Sequence, residues 1–240
     1  MSTLLRRYVR SILNEMSYED VKTSKDPADW VEAAFQDPED WDTDDPFRAM
    51  IRAAKKFGLE ELGIGSSRFV FSIDGERVLK IARNQKGVEQ NKLELTAGRD
   101  AQVHDLLSSV YESSPEYAWL IAEAVEPLDD GDVKKAEELT GVPWIEIRRL
   151  LGLSDKTEFN ATAEEVTSKL AGSKGASRGG GTSCLRGAEF ITALGGFLDR
   201  YKDMLPGDIV KLSSWGVNKK GCLVLLDYGI TRKKFGELYK

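Results

Sequence analysis

The sequence predicts an α+β fold: a small antiparallel sheet with an accompanying helix, then a largely helical region. Three observations carry this. Two β-branched, aromatic runs, SSRFVFSI and RVLKIA, flank Asp74-Gly75, a strong hairpin signal. Several later stretches repeat apolar residues at helical spacing. One more apolar run near the C-terminus, CLVLLDYG, reads as a strand. Among the 240 residues, 41% are hydrophobic and 31% charged, which suits a globular chain with a real core. No apolar run approaches the ~18 residues that a membrane span needs, so no transmembrane segment is expected.

Residues 1–16, MSTLLRRYVRSILNEM, place Leu4, Leu5, Tyr8, Ile12 and Met16 at helical spacing, with arginines between them. An amphipathic leader helix is expected, docking on its own chain or on a partner. It lacks the uninterrupted apolar stretch of a secretory signal. Residues 17–45 hold eleven acids against Lys22 and Lys25, a net of −9. Asp-Pro pairs start turns there, and Trp30 and Trp41 each end an Asp-Pro-x-Asp-Trp repeat. This segment reads as an acidic linker, and residues 1–45 as the place for a protein partner. The leader carries +2 and the whole chain −6, which leaves +1 for residues 46–240. A neutral body gives no reason to expect nucleic-acid binding.

Asp45-Pro46 can open a helix, FRAMIRAAKKFG, that ends at Gly58. The hairpin follows. A helix is expected over residues 87–110 and a short strand in YAWLIAEAV. Residues 132–171 suggest two or three helical pieces. The run GSKGASRGGGTS reads as a loop, and it fails the phosphate-loop pattern because no Gly-Lys stands at the required spacing. AEFITALGGFLDRYKDML is a further helix. The boundaries expected are a leader at 1–16, a linker at 17–45, a sheet-and-helix region at 46–127 and a helical region at 128–240.

Metal and disulfide chemistry look sparse. His104 is the one histidine, and Cys184 and Cys222 lie 38 residues apart. A zinc site wants more ligands at shorter spacing. Two isolated thiols suit a reducing compartment better than a disulfide framework.

Candidate chemistry gathers elsewhere. Gly63 and Gly65 precede the first strong strand, where they permit a tight turn and leave room for a ligand. Lys80 lies in an apolar strand and must find a partner. The helix after it offers Glu89 and Glu94. Asp227 ends an apolar strand beside Gly229, a suitable place for a metal carboxylate.

These pieces occur in the order of protein kinases, and the chain resembles that family over about residues 60–128 and 185–232. LGIGSSRFV is similar to the glycine-rich loop G-x-G-x-x-G-x-V, with Arg68 in place of the third glycine and Val70 at the valine. RVLKIA resembles the strand with the phosphate-pairing lysine, here Lys80. GVEQNKLE resembles the next helix, with Glu94 as the ion-pair glutamate. WLIAEAVEPL resembles the hinge, where backbone groups around Glu123 would meet an adenine. PGDIVKLSSWG and LVLLDYG resemble the catalytic loop and the Asp-Phe-Gly strand. The resemblance implies ATP and Mg2+ as cofactors, Asp208 as catalytic base, and Asp227 with Ser214 at the metal.

The departures are specific. Pro206-Gly207 replace His-Arg before Asp208, and Ser213 and Ser214 stand where an asparagine belongs. Only 11 residues follow Gly229, so no Ala-Pro-Glu segment and no peptide-substrate platform are expected. A reduced two-lobed kinase-like protein is implied, binding Mg-ATP and transferring phosphate weakly if at all. The other reading is a non-catalytic pseudokinase serving as a virion or interaction protein. LRRYVRSILNE resembles the leader of internal head proteins of large tailed phages, which are cut after Leu/Ile-x-Glu; Leu13-Asn14-Glu15 fits. Phage head components would then be partners, and the host cytoplasm or virion interior the location. Each residue also has a plainer reading: Lys80 and Glu94 as a structural ion pair, Asp227 as a strand-end turn, the glycines as punctuation.

Overall fold

The computed structural model describes residues 46–56, 58–152, 156–172, 184–201 and 209–228. The leader, the acidic linker, Asp208, Gly229 and the body of the GSKGASRGGGTS run lie outside the described residues. The chain is α+β and forms two compact units. Among the described residues, one comprises those up to Asn91 with Tyr111–Ala122, the other Lys92–Val110 with those from Glu123 onward.

The first unit opens with helix α1, Pro46–Lys56. Met50 and Ala54 are buried, with Phe47 and Ile51 half-buried beside them. That spacing is one helical face. Gly58 ends the helix at φ +75°, donating to Lys55 O, while Leu59 donates to Ala54 O. Glycine adopts this left-handed backbone without a Cβ penalty.

Five antiparallel strands follow: β1 (Glu60–Ile64), β2 (Arg68–Ser72), β3 (Arg77–Ala82), β4 (Val110–Ser113) and β5 (Trp119–Glu123), in the spatial order β1-β2-β3-β5-β4. The expected hairpin is present. Gly75 has φ +73°, and the Asp74 carboxylate accepts the amides of Glu76 and Arg77 and pairs with the Arg77 guanidinium at 2.7 Å. Phe69 pairs across from Ile81 and Phe71 across from Leu79. Directly opposed residues share a sheet face. This face, with Trp119 and Ile121, packs on Met50 and Ala54 of α1. Burying a side chain such as Phe71 contributes about 1.5–3 kcal/mol.

Helix α2 runs Gln85–Gly98, shorter than the expected 87–110. Asp100 takes over the backbone there: its carboxylate accepts Gln102 N–H, and its carbonyl accepts Val103 and His104 N–H. Such local bonds compete with helix continuation. A 3-10 turn at His104–Leu106 and strand β4 replace the last turns.

The second unit holds a three-stranded antiparallel sheet: β6 (Glu126–Pro127), β7 (Trp215–Val217) and β8 (Leu223–Leu225), in that order. Around it stand α3 (Val133–Thr140), α4 (Trp144–Leu151), α5 (Lys156–Gly172) and α6 (Gly187–Arg200). The core is aromatic. Trp215, with no exposure, meets Trp144 edge-on at 6.1 Å and Phe190 at 5.9 Å, and its indole N–H donates to Ile209 O at 2.8 Å. No helix among the described residues is long and apolar enough to cross a membrane.

One expectation is overturned. Cys184 and Cys222 are joined in a disulfide, with Cα atoms 5.1 Å apart. The fold brings the entry of α6 against the start of β8, so the wide sequence spacing is no obstacle. The bridge closes a long loop, whose freedom in the unfolded chain it removes.

Candidate functional site

In the first unit, register decides which side chains share a surface. Val70 pairs across from Lys80, and Arg68 across from Ala82. These four therefore occupy the sheet face opposite α1. Lys80 is 6% exposed and Arg68 7%. Lys80 sits on β3, the third strand of the sheet, with Val70 as its cross-strand neighbour.

Gly63 and Gly65 are at the first hairpin. Gly63 lies inside β1, at a bulge, opposite Val70. Gly65 donates to Arg68 O at 2.8 Å, closing a turn whose tip is Ser66-Ser67. Neither glycine has positive φ. A Cβ at Gly63 would meet nothing within 4 Å, and one at Gly65 would make ordinary contact with Arg68 O at 3.5 Å. Gly65 lies in the tight turn, and neither glycine needs a left-handed backbone there. At Gly63 the chain has open space beside the strand.

In the second unit, Glu94 lies on α2, buried at 2% exposure. Its carbonyl accepts the hydroxyl of Tyr228 at 3.3 Å. Tyr228 is itself buried and rests edge-on against Phe197 at 5.7 Å. The residue following Asp227 is thus bonded to the residue that carries the candidate glutamate. Asp227 lies two residues after the end of β8 and is half-buried. Ser214 closes the 3-10 turn Leu212–Ser214 before β7, and its carbonyl accepts both Leu226 N–H at 2.9 Å and Asp227 N–H at 3.3 Å. Asp227 and Ser214 are therefore neighbours through the hairpin. Lys80, Glu94, Ser214 and Asp227 are each engaged by other groups of the chain.

Glu123 ends β5. Its amide donates to Ser109 O at 2.9 Å, and its carboxylate accepts Ser109 N–H at 3.4 Å. An adenine at this strand would have to use neighbouring backbone groups, because that amide is taken. Asp208 is outside the described residues.

No group of three or more His, Cys, Asp or Glu side chains placed for a metal occurs among the described residues. Magnesium does not require one: it is commonly held by one or two carboxylates with waters and substrate phosphates. The Asp227 carboxylate and the Ser214 hydroxyl fit that donor chemistry.

Residues that sequence reasoning passed over stand beside these. Arg83 and Asn84 bond the backbone of the Gly65–Ser67 turn. Gly87 approaches so closely that a Cβ would lie 2.2 Å from Ser67 O. Gly216 would bring a Cβ to 2.5 Å from Glu126 O and from Val125 Cγ1. Their only sequence signal is position: just after the lysine strand for the first three, and just after Ser214-Trp215 for the last. No family model matches this chain, and no curated protein or solved structure is significantly similar to it.

Proposed function

We propose that the chain is a reduced protein-kinase-like protein that binds Mg-ATP and transfers phosphate slowly at most. The observation that carries this reading is the buried Lys80 on the third strand, opposite Val70 and after Gly63, which stands in open space, and the Gly65 turn. Protein kinases hold phosphates in the same way, with a glycine-rich loop and a lysine on their third strand. The order continues through Glu94 on the next helix to Asp227 after a β-hairpin. Lys80 would neutralise phosphate charge, and in the second unit Asp227 with Ser214 would hold magnesium. Magnesium, when bound, supplies charge neutralisation at the phosphoryl oxygens.

A second reading, a non-catalytic nucleotide-binding or interaction protein, has its own observation. Ser213 and Ser214 stand where kinases have a metal-binding asparagine. A hydroxyl at the end of a short, buried side chain reaches less far than an amide oxygen.

Thermal unfolding tests the binding claim. Ligand at ten times its Kd adds about 1.4 kcal/mol, or about 3–6 °C for a chain of this size. Wild type should show that rise with Mg-ATP, and Lys80→Met should lose it while keeping its far-UV spectrum. No shift in wild type at millimolar Mg-ATP overturns the nucleotide reading.

A further inference from the structure

The turn between β1 and β2 is fastened by the residues that follow β3. Arg83 Nη1 donates to Gly65 O at 2.7 Å, and Asn84 Nδ2 donates to Ser66 O at 3.2 Å. Arg83 N–H donates to Ser67 O at 2.7 Å. Three successive carbonyls are thus drawn toward Arg83-Asn84. Beneath them the Ser67 hydroxyl donates to Gln90 Oε1, both side chains being buried.

Peptide planarity turns this into a statement about the amides. In a trans peptide the N–H points opposite to the C=O of the same plane, and no peptide here is cis. With Gly65 O and Ser66 O tied to Arg83 and Asn84, the amides of Ser66 and Ser67 face the other way. Successive amides turned to one side, here away from Arg83-Asn84, form a concavity suited to an anion. The Ser66 side chain is exposed at the same place. Arg83 is itself braced, with its guanidinium 4.9 Å over the Phe69 ring.

We propose that Arg83 and Asn84 are positioning residues that preform the Ser66-Ser67 amides as a seat for the phosphate chain, before any ligand arrives. This rests on the nucleotide-binding reading and deepens it. A preformed seat spares the ligand the ordering of a loop. Neither side chain need touch the nucleotide, so their effect should be confined to the part of the ligand that meets the turn.

The test measures Kd by calorimetry on the full chain for three probes: Mg-ATP, adenosine and inorganic tripolyphosphate. The variants are Arg83→Ala, Arg83→Lys and Asn84→Ser. Asn84 Oδ1 also accepts Gly87 N–H at 3.2 Å at the start of α2. Serine keeps a capping oxygen there but is too short to reach Ser66 O. Arg83→Ala and Asn84→Ser should each weaken Mg-ATP and tripolyphosphate about tenfold, the equivalent of one hydrogen bond to a preorganised turn. Adenosine affinity should stay at its wild-type value, and Arg83→Lys should recover part of the loss. Equal weakening of adenosine would mean that the residues only hold the fold, and would overturn the proposal. So would wild-type Mg-ATP affinity in both variants, with the nucleotide reading left standing. A wild type that binds neither Mg-ATP nor tripolyphosphate overturns both readings.

Discussion

The Gly63–Arg68 turn of the first unit and the Ser214–Leu225 hairpin of the second are both short β connections containing glycine, but they are held by different means. The turn is tied by hydrogen bonds from Arg83 and Asn84 and by one from Ser67 to Gln90, and Gly63 stands in open space. The hairpin is set in an aromatic core, with Trp215 against Trp144 and Phe190, Gly216 wedged against Glu126, and Cys222 covalently fastened. A glycine in open space is free to serve a ligand. A glycine pressed between backbone and side chain serves packing.

The largest effect should separate these two kinds of glycine. Gly216→Ala must push a Cβ away from Glu126 O and Val125 Cγ1, and should cost about 2–4 kcal/mol in urea unfolding. Gly63→Ala meets nothing and should change stability by under about 1 kcal/mol, while still weakening Mg-ATP if the open space is for a ligand. Equal stability losses at the two sites would erase the distinction.

The disulfide comes next. Replacing both Cys184 and Cys222 with serine should lower stability by about 2–4 kcal/mol, and a reducing agent should lower the melting temperature of wild type but not of the double variant. A wild type indifferent to reductant would show that the hairpin depends on its aromatic packing alone.

Activity sharpens the comparison further. Autophosphorylation with labelled ATP should be very slow or absent in wild type and should increase in Ser214→Asn, which restores an amide oxygen beside Asp227. Brisk wild-type turnover that Asp227→Ala abolishes would remove the non-catalytic reading.

The smallest effect lies on the helical surface. Hydrogen bonds from Lys169 and Arg149, at 2.6 and 2.9 Å, hold the Glu165 carboxyl below its ordinary range. A lowered folded value stabilises the fold above the ordinary glutamate pKa of about 4.3, and that contribution is lost as pH falls through the lowered value. The stability difference between wild type and Glu165→Gln should therefore be largest near neutrality and vanish in acid. Because the pair is exposed, added salt should also shrink it. A difference that persists below the lowered value would assign it to packing.

The central part of the sheet was legible in the sequence. SSRFVFSI and RVLKIA flank Asp74-Gly75, and β2 and β3 form there because buried strands need apolar side chains at fixed register. Helix α1 announced itself through Pro46 and Gly58, and CLVLLDYG through its apolar run. The edge strands did not. β1 is exposed along most of its length and β4 is half-buried at its two ends and exposed between them, so neither carries an alternating pattern, and only pairing with β2 and β5 makes them strands. The end of α2 was missed because Asp100 captures backbone amides by a local bond that periodicity does not register. Lys80, Glu94 and Asp227 could be named from residue type and neighbours. Tertiary structure alone decided that Lys80 shares a face with Val70 and Arg68, that Ser214 O receives the amide of Asp227, that Cys184 meets Cys222, and that Arg83 and Asn84 hold the glycine turn. Those facts depend on which distant segments the fold brings within hydrogen-bonding or covalent reach, and a linear pattern records only what lies within a few residues of itself.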